Sequence, residues 1–489
     1  MEQTVVINFT GGIISPGILY NILVAATKAS VRTVRFGLRQ QLLVDLASYQ
    51  LNTFTTELEL LGIGYELNQS HFPNILSSYP AEGIFIRNTW LTEGVYKDVL
   101  DAIDFRPSVK INISDSDQSF TPMLTGNINW IASSSAEHYW HLIIRFPKTN
   151  VIYEWDQLCY TNHIAPMTRL LEQLIKDHAG QFIDNEMASG EALFGMLSPE
   201  EFILRPAEQP VALSSFDLPY YEGLNRYNNK YWLGVYRRDE LFNIAFLKKL
   251  CQLCLDTKLG QLCCTPWKTI IIKGIDEKDK AHWNTLLEEF QLNMRHAANE
   301  LNFQVEDNCA EGLELKSFLL KQLSINDTRT FGICFGIKTR KKSEVFSSIL
   351  IQKRHLIDYF GLKLFPVYDI LCAKDFNPNE RTGEVFSRGN PRMILPEQLR
   401  RAIYRFHQYR TNAIQHDKQR PTFPQREVPS PVVIPAQQCS VCLSIYHPEI
   451  GEPAQGIPPG TDFKDLPENY CCTLCEAEKA LFHPIALSV

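Results

Sequence analysis

Cys439-Ser-Val-Cys442 and Cys472-Thr-Leu-Cys475 bracket twenty-nine residues that include the run IYHPEIGEPAQGIPPGTDFKDLPENY, residues 445–470. Two C-x-x-C knuckles supply four thiolates at one tetrahedral point, the donor set that soft-ligand iron or zinc prefers. The knuckles alone do not choose between these metals. A unit of about fifty residues buries too little apolar surface to be stable by itself, so metal binding supplies much of its folding free energy. Tyr446, Phe463, Tyr470 and Phe482 are the aromatics available to pack beside the sulfurs. They would also keep water away, which helps to set a reduction potential.

The text between the knuckles carries more. Ile445-Tyr446-His447-Pro448, Gly451-Glu452-Pro453, Pro459-Gly460-Thr461 and Leu466-Pro467 closely resemble rubredoxin. The resemblance implies a mononuclear iron, one per chain, held by Cys439, Cys442, Cys472 and Cys475 and cycling between ferric and ferrous to pass one electron. Structural zinc ribbons share the knuckles but not the proline-glycine text. The family usually places Gly directly after the second and fourth cysteines, where positive φ turns backbone N–H groups toward sulfur. This chain has Leu443 and Glu476 there, so strain and cover over the outer sulfurs are expected. Thr473 stands where the family usually has Pro, and His447 where it usually has Asp. Register with the family makes Cys472, not its neighbour Cys471, the ligand, because Tyr470 then falls at the usual aromatic position.

At 489 residues and 56.1 kDa, the chain leaves about four hundred residues for other domains. With 45% hydrophobic and 21% charged residues it reads as globular and soluble. Thirteen cysteines in a chain of this size read as reduced thiols, not a disulfide framework. MEQTVVINFTGG lacks the basic stretch and apolar core of a signal peptide, and no apolar run approaches a membrane span. A cytoplasmic protein without a membrane partner is expected. The net charge of −7 argues against nucleic acid as a partner. Residues 439–482 hold seven acids (Glu449, Glu452, Asp462, Asp465, Glu468, Glu476, Glu478) against Lys464 and Lys479, an acidic face that can steer a basic redox partner. Upstream, Arg400, Arg401, Arg405 and Arg410 form a basic stretch. It leads into 411–436, where Pro421, Pro424, Pro429, Pro431 and Pro435 predict an extended tether or plain connector.

The first four hundred residues contain an approximate duplication. A strand at Val5–Phe9, a helix over 16–29 and a strand at Thr33–Leu46 are matched by a strand at Tyr231–Tyr236, a helix at Asp239–Lys258 and a strand at Gly260–Ile275. The copies end in Gly37-Leu38-Arg39-Gln40 and Cys263-Cys264-Thr265-Pro266-Trp267, which resemble the T-x-R-Q and R-L-T-P-W text of the ferredoxin-like half-domains in sulfite and nitrite reductases. PNILSSYPAEGIF, GVYKDVLDAIDF and VKINISDSD follow the first copy in the order those reductases use. In that family a C-x5-C and a C-x3-C bind a four-iron four-sulfur cluster bridged to sirohaem. This chain keeps Cys309 and Cys334, with Leu315 and Lys338 where their partners would fall, and Cys263 stands where a sirohaem-clamping Arg is usual. Two cysteines cannot hold a cubane, so neither sirohaem nor an iron–sulfur cluster is expected. Arg39 survives, either as a remnant anion contact or as a packing arginine.

Other candidate sites read as structure. Cys251 and Cys254 lie mid-helix among Phe246, Leu247, Leu250 and Leu253, as core thiols. Cys263 and Cys264 are strand neighbours that point to opposite faces. His138 and His141 fall in an alternating strand that separates them. Arg340, Lys341 and Lys342 form a short basic patch, and no dinucleotide fingerprint or P-loop is present.

The expected fold class is α+β: duplicated ferredoxin-like half-domains in a reductase-like body, plus a small metal-stabilised rubredoxin domain. The expected regions are half-domains at 1–80 and 216–290, reductase-like α/β regions at 81–215 and 291–410, a linker at 411–436 and the rubredoxin domain at 437–489. The expected function is single-electron relay between redox partner proteins, a reductase donor and an acceptor of nitrite or sulfite reductase type. Two alternatives stand beside it: an active sirohaem reductase with a fused donor, and a structural zinc-binding interaction protein.

Overall fold

The computed structural model describes residues 3–68, 71–86, 89–198, 201–211, 213–294, 298–340, 344–359, 362–380, 383–419, 433–442 and 444–488. The chain divides into two compact units, Met1–Arg410 and Thr411–Val489. Among the described residues no helix is long and apolar enough to cross a membrane.

The first repeat runs from strand Gln3–Ile7 through Ile13–Ile14 and helix Pro16–Lys28 to the hairpin Thr33–Phe36 and Leu42–Leu46. Pro16 opens the helix, where its missing N–H costs nothing. The second repeat has the same order: Lys230–Val235, Phe242–Asn243, helix Ile244–Asp256, then the hairpin Leu262–Cys264 and Ile270–Ile275. Thr33–Leu46 and Gly260–Ile275, expected as single strands, are therefore hairpins. Alternation continues on both sides of each turn and hides it. The two turns share one geometry. Gly37 N–H donates to the Gln41 carbonyl at 2.9 Å and Gln40 N–H to Gly37 at 3.0 Å; Thr265 N–H donates to Thr269 at 3.0 Å and Lys268 N–H to Thr265 at 3.1 Å. Gln40 and Lys268 both take left-handed backbone, at φ 62° and 56°.

The repeats exchange their shortest strands. Ile14 pairs with Leu262 of the second copy, and Phe242 pairs with Val34 of the first. The two repeats also share one core, which includes Leu23, Phe36, Leu250, Ile272 and Trp283. Each half-domain is thus completed by a strand from the other, which ties 1–80 to 216–290.

The α/β regions repeat as well. Leu76–Ser77, Ile111–Ser114 and Ile128–Ala132 are parallel, and Tyr139–Arg145 joins antiparallel. Phe303–Val305, Phe335–Lys338 and Ile349–Tyr359 are parallel, and Leu362–Ala373 joins antiparallel. Helices Glu93–Ala102 and Ala310–Ile325 make the equivalent first crossovers. Cys263 packs into the core of the first region with Trp130 and Trp140, whereas its neighbour Cys264 packs into the half-domain core. Opposite pleat faces account for the separation.

Helix Leu395–Gln419 corrects the expected linker. It buries Leu395, Leu399, Ala402, Ile403 and Phe406 and continues through 411–419, a stretch with neither proline nor glycine to stop it. At the other end of that segment, Val433–Cys439 is strand. Residues 420–432 lie outside the described residues. The arginine stretch is compensated: Arg400 meets Glu397 at 2.6 Å, Arg401 meets Glu397 at 3.3 Å, Arg410 meets Asp217 at 3.1 Å, and Arg405 pairs with Glu384. In the C-terminal unit, Val433–Cys439 is the middle strand of three, between Ile445–Tyr446 and Phe482–Ser488.

Candidate metal centre

Cys439 ends the middle strand, and the two knuckles fold alike. Cys439 N–H donates to the Ser444 carbonyl at 2.9 Å, and Cys472 N–H donates to Ala477 at 2.8 Å, so each C-x-x-C is closed by a bond to the residue five places on. The closed turns bring the four sulfurs within 4.8 Å of one another. Cys439 Sγ lies 3.6 Å from Cys475 Sγ, and Cys442 Sγ lies 3.4 Å from Cys472 Sγ. A tetrahedral metal with sulfur at about 2.3 Å needs ligand edges of about 3.8 Å, so the donor set fits mononuclear iron or zinc. Cys439 and Cys472 are buried; Cys442 and Cys475 are partly exposed and form the outer pair.

Polar groups already point at the sulfurs. Ser444 Oγ lies 3.0 Å from Cys472 Sγ and 3.3 Å from Cys442 Sγ. The Ser444 side chain and backbone N–H hold the Cys442 thiol below its usual range. Burial raises Cys472, but Ser444 and the N–H groups of Leu474 and Cys475 outweigh it and bring the thiol down to about 6. The Ala477 N–H favours the Cys475 thiolate, yet burial and the three neighbouring sulfurs push that thiol up to about 12. Four thiolates this close repel one another, and a bound cation removes that repulsion. Ser444 was not singled out from sequence, although its place two residues after Cys442 puts it at the turn that closes the knuckle.

The aromatic shell forms as expected. Phe463 is its centre, with ring centroids 5.5 Å from Tyr446, 5.9 Å from Tyr470 and 5.1 Å from Phe482. Glu476 has φ 58°, the left-handed conformation expected after the fourth cysteine, and its side chain is exposed. Leu443 lies outside the described residues. His447 Nδ1 accepts the Glu449 N–H at 3.3 Å and pins the turn. Cys471 is excluded from the cluster: its thiol donates to the Asn469 carbonyl at 3.6 Å. Of the seven acids, all but Glu452 are exposed. Lys479 is turned inward onto the carbonyls of Lys464 and Leu466, at 3.2 and 2.6 Å, which leaves the face acidic.

The rubredoxin family model matches residues 436–482. A probable rubredoxin from Methanothermobacter thermautotrophicus is 52% identical over 48 residues, covering 10% of this chain and 76% of that protein. The chain belongs to the rubredoxin family through its C-terminal domain. An anaerobic nitric oxide reductase flavorubredoxin from Salmonella arizonae is 46% identical over 52 residues, which are 11% of each chain. The fold of the body is that of the Mycobacterium tuberculosis NirA protein: TM-score 0.63 at 14% identity, covering 82% of this chain and 80% of that one.

The body's residues do not fit the cluster that a reductase resemblance implies. Cys309 Sγ accepts the Gly312 N–H at 3.3 Å and meets Thr339 Oγ1 at 3.3 Å, at the start of helix Ala310–Ile325. Cys334 Sγ accepts the Ser348 N–H at 3.2 Å, and burial pushes its thiol up to about 12. Leu315 is core, and among the described residues the rubredoxin cysteines are the one group of three or more side chains placed to hold a metal. Cys251, Cys254, Cys263 and Cys264 are all buried thiols. His138 stacks near Trp90, with centroids 5.3 Å apart, while His141 is buried 3.7 Å from Glu154. Lys341 and Lys342 lie outside the described residues.

Proposed function

We propose that this protein is a one-electron carrier in which Cys439, Cys442, Cys472 and Cys475 hold one iron, and that the body serves as a non-catalytic scaffold. Iron in such a four-thiolate site supplies a ferric/ferrous couple. The chain's own residues do the rest. The knuckles fix four sulfurs in advance, so little rearrangement accompanies a change of charge at the centre. Backbone N–H groups and Ser444 offset the negative charge on the sulfurs. The Phe463 cluster keeps water from the inner pair, Cys439 and Cys472. The outer pair, flanked by exposed Val441 and Leu474, offers the short route to a partner. The exposed acids around it favour a partner with a basic docking face.

The observation that carries this reading is the four-sulfur cluster inside a segment more than half identical to a rubredoxin. We further propose a reduced redox protein as donor and a nitrite- or sulfite-type reductase as acceptor. The NirA-like fold of the body supports that acceptor class as an analogy of fold alone. The test is the visible spectrum before and after dithionite, with iron and zinc counted per chain. One iron, thiolate-to-iron charge-transfer bands that bleach on reduction, and no sirohaem bands are expected. A colourless protein with one zinc after purification from its native host, or sirohaem bands, overturns the reading.

A further inference from the structure

The sheet of the second α/β region runs out into an arm. Ile349–Tyr359 and Leu362–Ala373 pair antiparallel along their length, whereas their sheet neighbours cover only the base. Phe335–Lys338 reaches no further than Gln352, and Gly383–Asn390 no further than Tyr368. Over 353–367 the hairpin is therefore a two-stranded ribbon with no strand on either edge among the described residues. Two strands alone are marginally stable in water, and each bare edge presents N–H and C=O groups that another strand can meet.

Exposed edges are usually short, charged or covered. This one is apolar. Leu356, Ile357, Leu364 and Phe365 are 61%, 44%, 39% and 62% exposed. Ile357 lies directly across from Leu364, and the same register sets Leu356 against Phe365, so each face of the ribbon carries one apolar pair. Phe365 also holds left-handed backbone, at φ 56°. That conformation is costly for a bulky residue and persists where surroundings or function impose it. The arm's cations, by contrast, are already engaged: Lys353 pairs with Glu311, and Arg354 Nε donates to Asp369 Oδ2 at 2.7 Å.

Pro366 lacks the N–H that a further ladder needs, which makes the second strand a poor template and leaves the first as the open edge. That first strand is self-complementary. Laid antiparallel on a second copy of itself with Leu356 on the two-fold axis, it sets Leu356 against Leu356, His355 against Ile357 and Arg354 against Asp358, so that opposite charges face each other and like charges do not.

We propose that the arm is a homodimerisation element, in which residues 353–359 of two copies pair about a two-fold axis at Leu356. The two ribbons become one four-stranded sheet, with apolar residues of both copies side by side on each face. Such a seam falls at the small end of specific interfaces, below about 1,200 Å² in all, so a dissociation constant in the micromolar range is expected. The inference concerns the body alone and does not depend on the iron centre.

The experiment is analytical ultracentrifugation of the full-length protein from about 1 to 100 μM, for wild type and Leu356→Glu. Wild type is expected to pass from monomer to dimer, and Leu356→Glu, which opposes two carboxylates at the axis, to dissociate at least tenfold more readily with an unchanged thermal transition of the body. A second measurement uses Leu356→Cys under mild oxidation. The axis brings the two Cβ atoms to about 4.5–5.5 Å, near disulfide reach, so a covalent dimer is expected on a non-reducing gel. Wild type and Met393→Cys, a control at an exposed position off the arm, are expected to stay uncrosslinked. A wild type that is monomeric throughout, equal association of wild type and Leu356→Glu, or crosslinking of Leu356→Cys no greater than that of Met393→Cys overturns the proposal.

Discussion

Glu476 makes two separable contributions to the iron site, and a pair of substitutions tells them apart. Its φ of 58° places a non-glycine residue in the left-handed region immediately after ligand Cys475. That conformation costs roughly 1–2 kcal/mol for a residue with a Cβ. Glycine removes the cost but adds about 0.5–1 kcal/mol of unfolded-state backbone entropy. Glu476→Gly should therefore stabilise the domain by about 0.5–1 kcal/mol, which for a small domain is a rise of roughly 3–6 °C in its thermal transition. The charge acts on the couple instead. A carboxylate at roughly 8 Å with an effective dielectric constant of about 40 favours the oxidised site by about 1 kcal/mol, or about 45 mV for one electron, before solvent screening reduces it. Glu476→Gln keeps the strain and removes the charge, so its potential should rise by a few tens of mV with no gain in stability. Glu476→Gly should show both effects. Loss of the charge-transfer band on heating reads stability in the full chain, and a spectroelectrochemical titration reads potential. If Glu476→Gly melts no higher than Glu476→Gln, backbone strain is not stored at this position.

Phe463→Ala removes the ring that touches Tyr446, Tyr470 and Phe482; large-to-small truncation of this kind costs about 3–5 kcal/mol, so the metal-free domain should lose its fold and the iron-loaded one should release iron faster to a chelator, measured by decay of the visible band. Lys316 is 2% exposed and donates to Tyr236 Oη at 2.8 Å, and burial lowers its ammonium to about 8. Below pH 8 both folded and unfolded chains carry that proton and the folded state bears the cost of a buried charge; between about 8 and the unfolded value of 10.5 only the unfolded chain holds it, so the penalty fades as pH rises. Lys316→Met should accordingly stabilise the protein by on the order of 1–2 kcal/mol at pH 7 after loss of the Tyr236 hydrogen bond, with the gain shrinking by pH 10 in paired denaturant titrations. A gain that is equal at the two pH values would show that packing, not charge, sets the effect.

The four-cysteine cluster was legible because its information is local. Both knuckles close within six residues, and the aromatic shell lies inside the same segment. Even the departures could be read: Glu476 takes the strained conformation that its position requires, and Cys471 stays out of the cluster. The body was legible in outline, as repeated strand-helix-strand patterns. Its turns were not, because apolar alternation runs up to Phe36 and resumes at Leu42, leaving Gly37–Gln41 without a break strong enough to separate two strands. The exchange of Ile13–Ile14 and Phe242–Asn243 could not be read either, since two-residue strands carry no periodicity and their partners lie more than two hundred residues away. Residues 411–419 fall inside the expected connector, yet the prolines that mark it begin only at Pro421. Residues 411–419 continue a helix whose buried face lies earlier, at Leu395–Phe406. Glu344 gave no local pattern: it meets Arg39 and Lys110, which only the fold brings to it.

Partners within the chain also account for several buried polar groups of the NirA-like body. Buried polar groups cost free energy unless a partner meets them. Here several buried groups have partners within the chain. Cys309 accepts an N–H at a helix start, Cys334 accepts the Ser348 N–H, and Lys268 pairs with Glu240 at 2.7 Å and Asp307 at 3.3 Å. Arg39 faces Glu344. The reciprocal strands and shared core hold the half-domains together without reference to any cofactor. The proposed reading, in which only the C-terminal domain carries a metal, predicts a body whose stability does not depend on a prosthetic group and a C-terminal domain, with four sulfurs and a small aromatic core, that does depend on its metal. Chelation under reducing conditions should therefore unfold the smaller unit and leave the larger one folded.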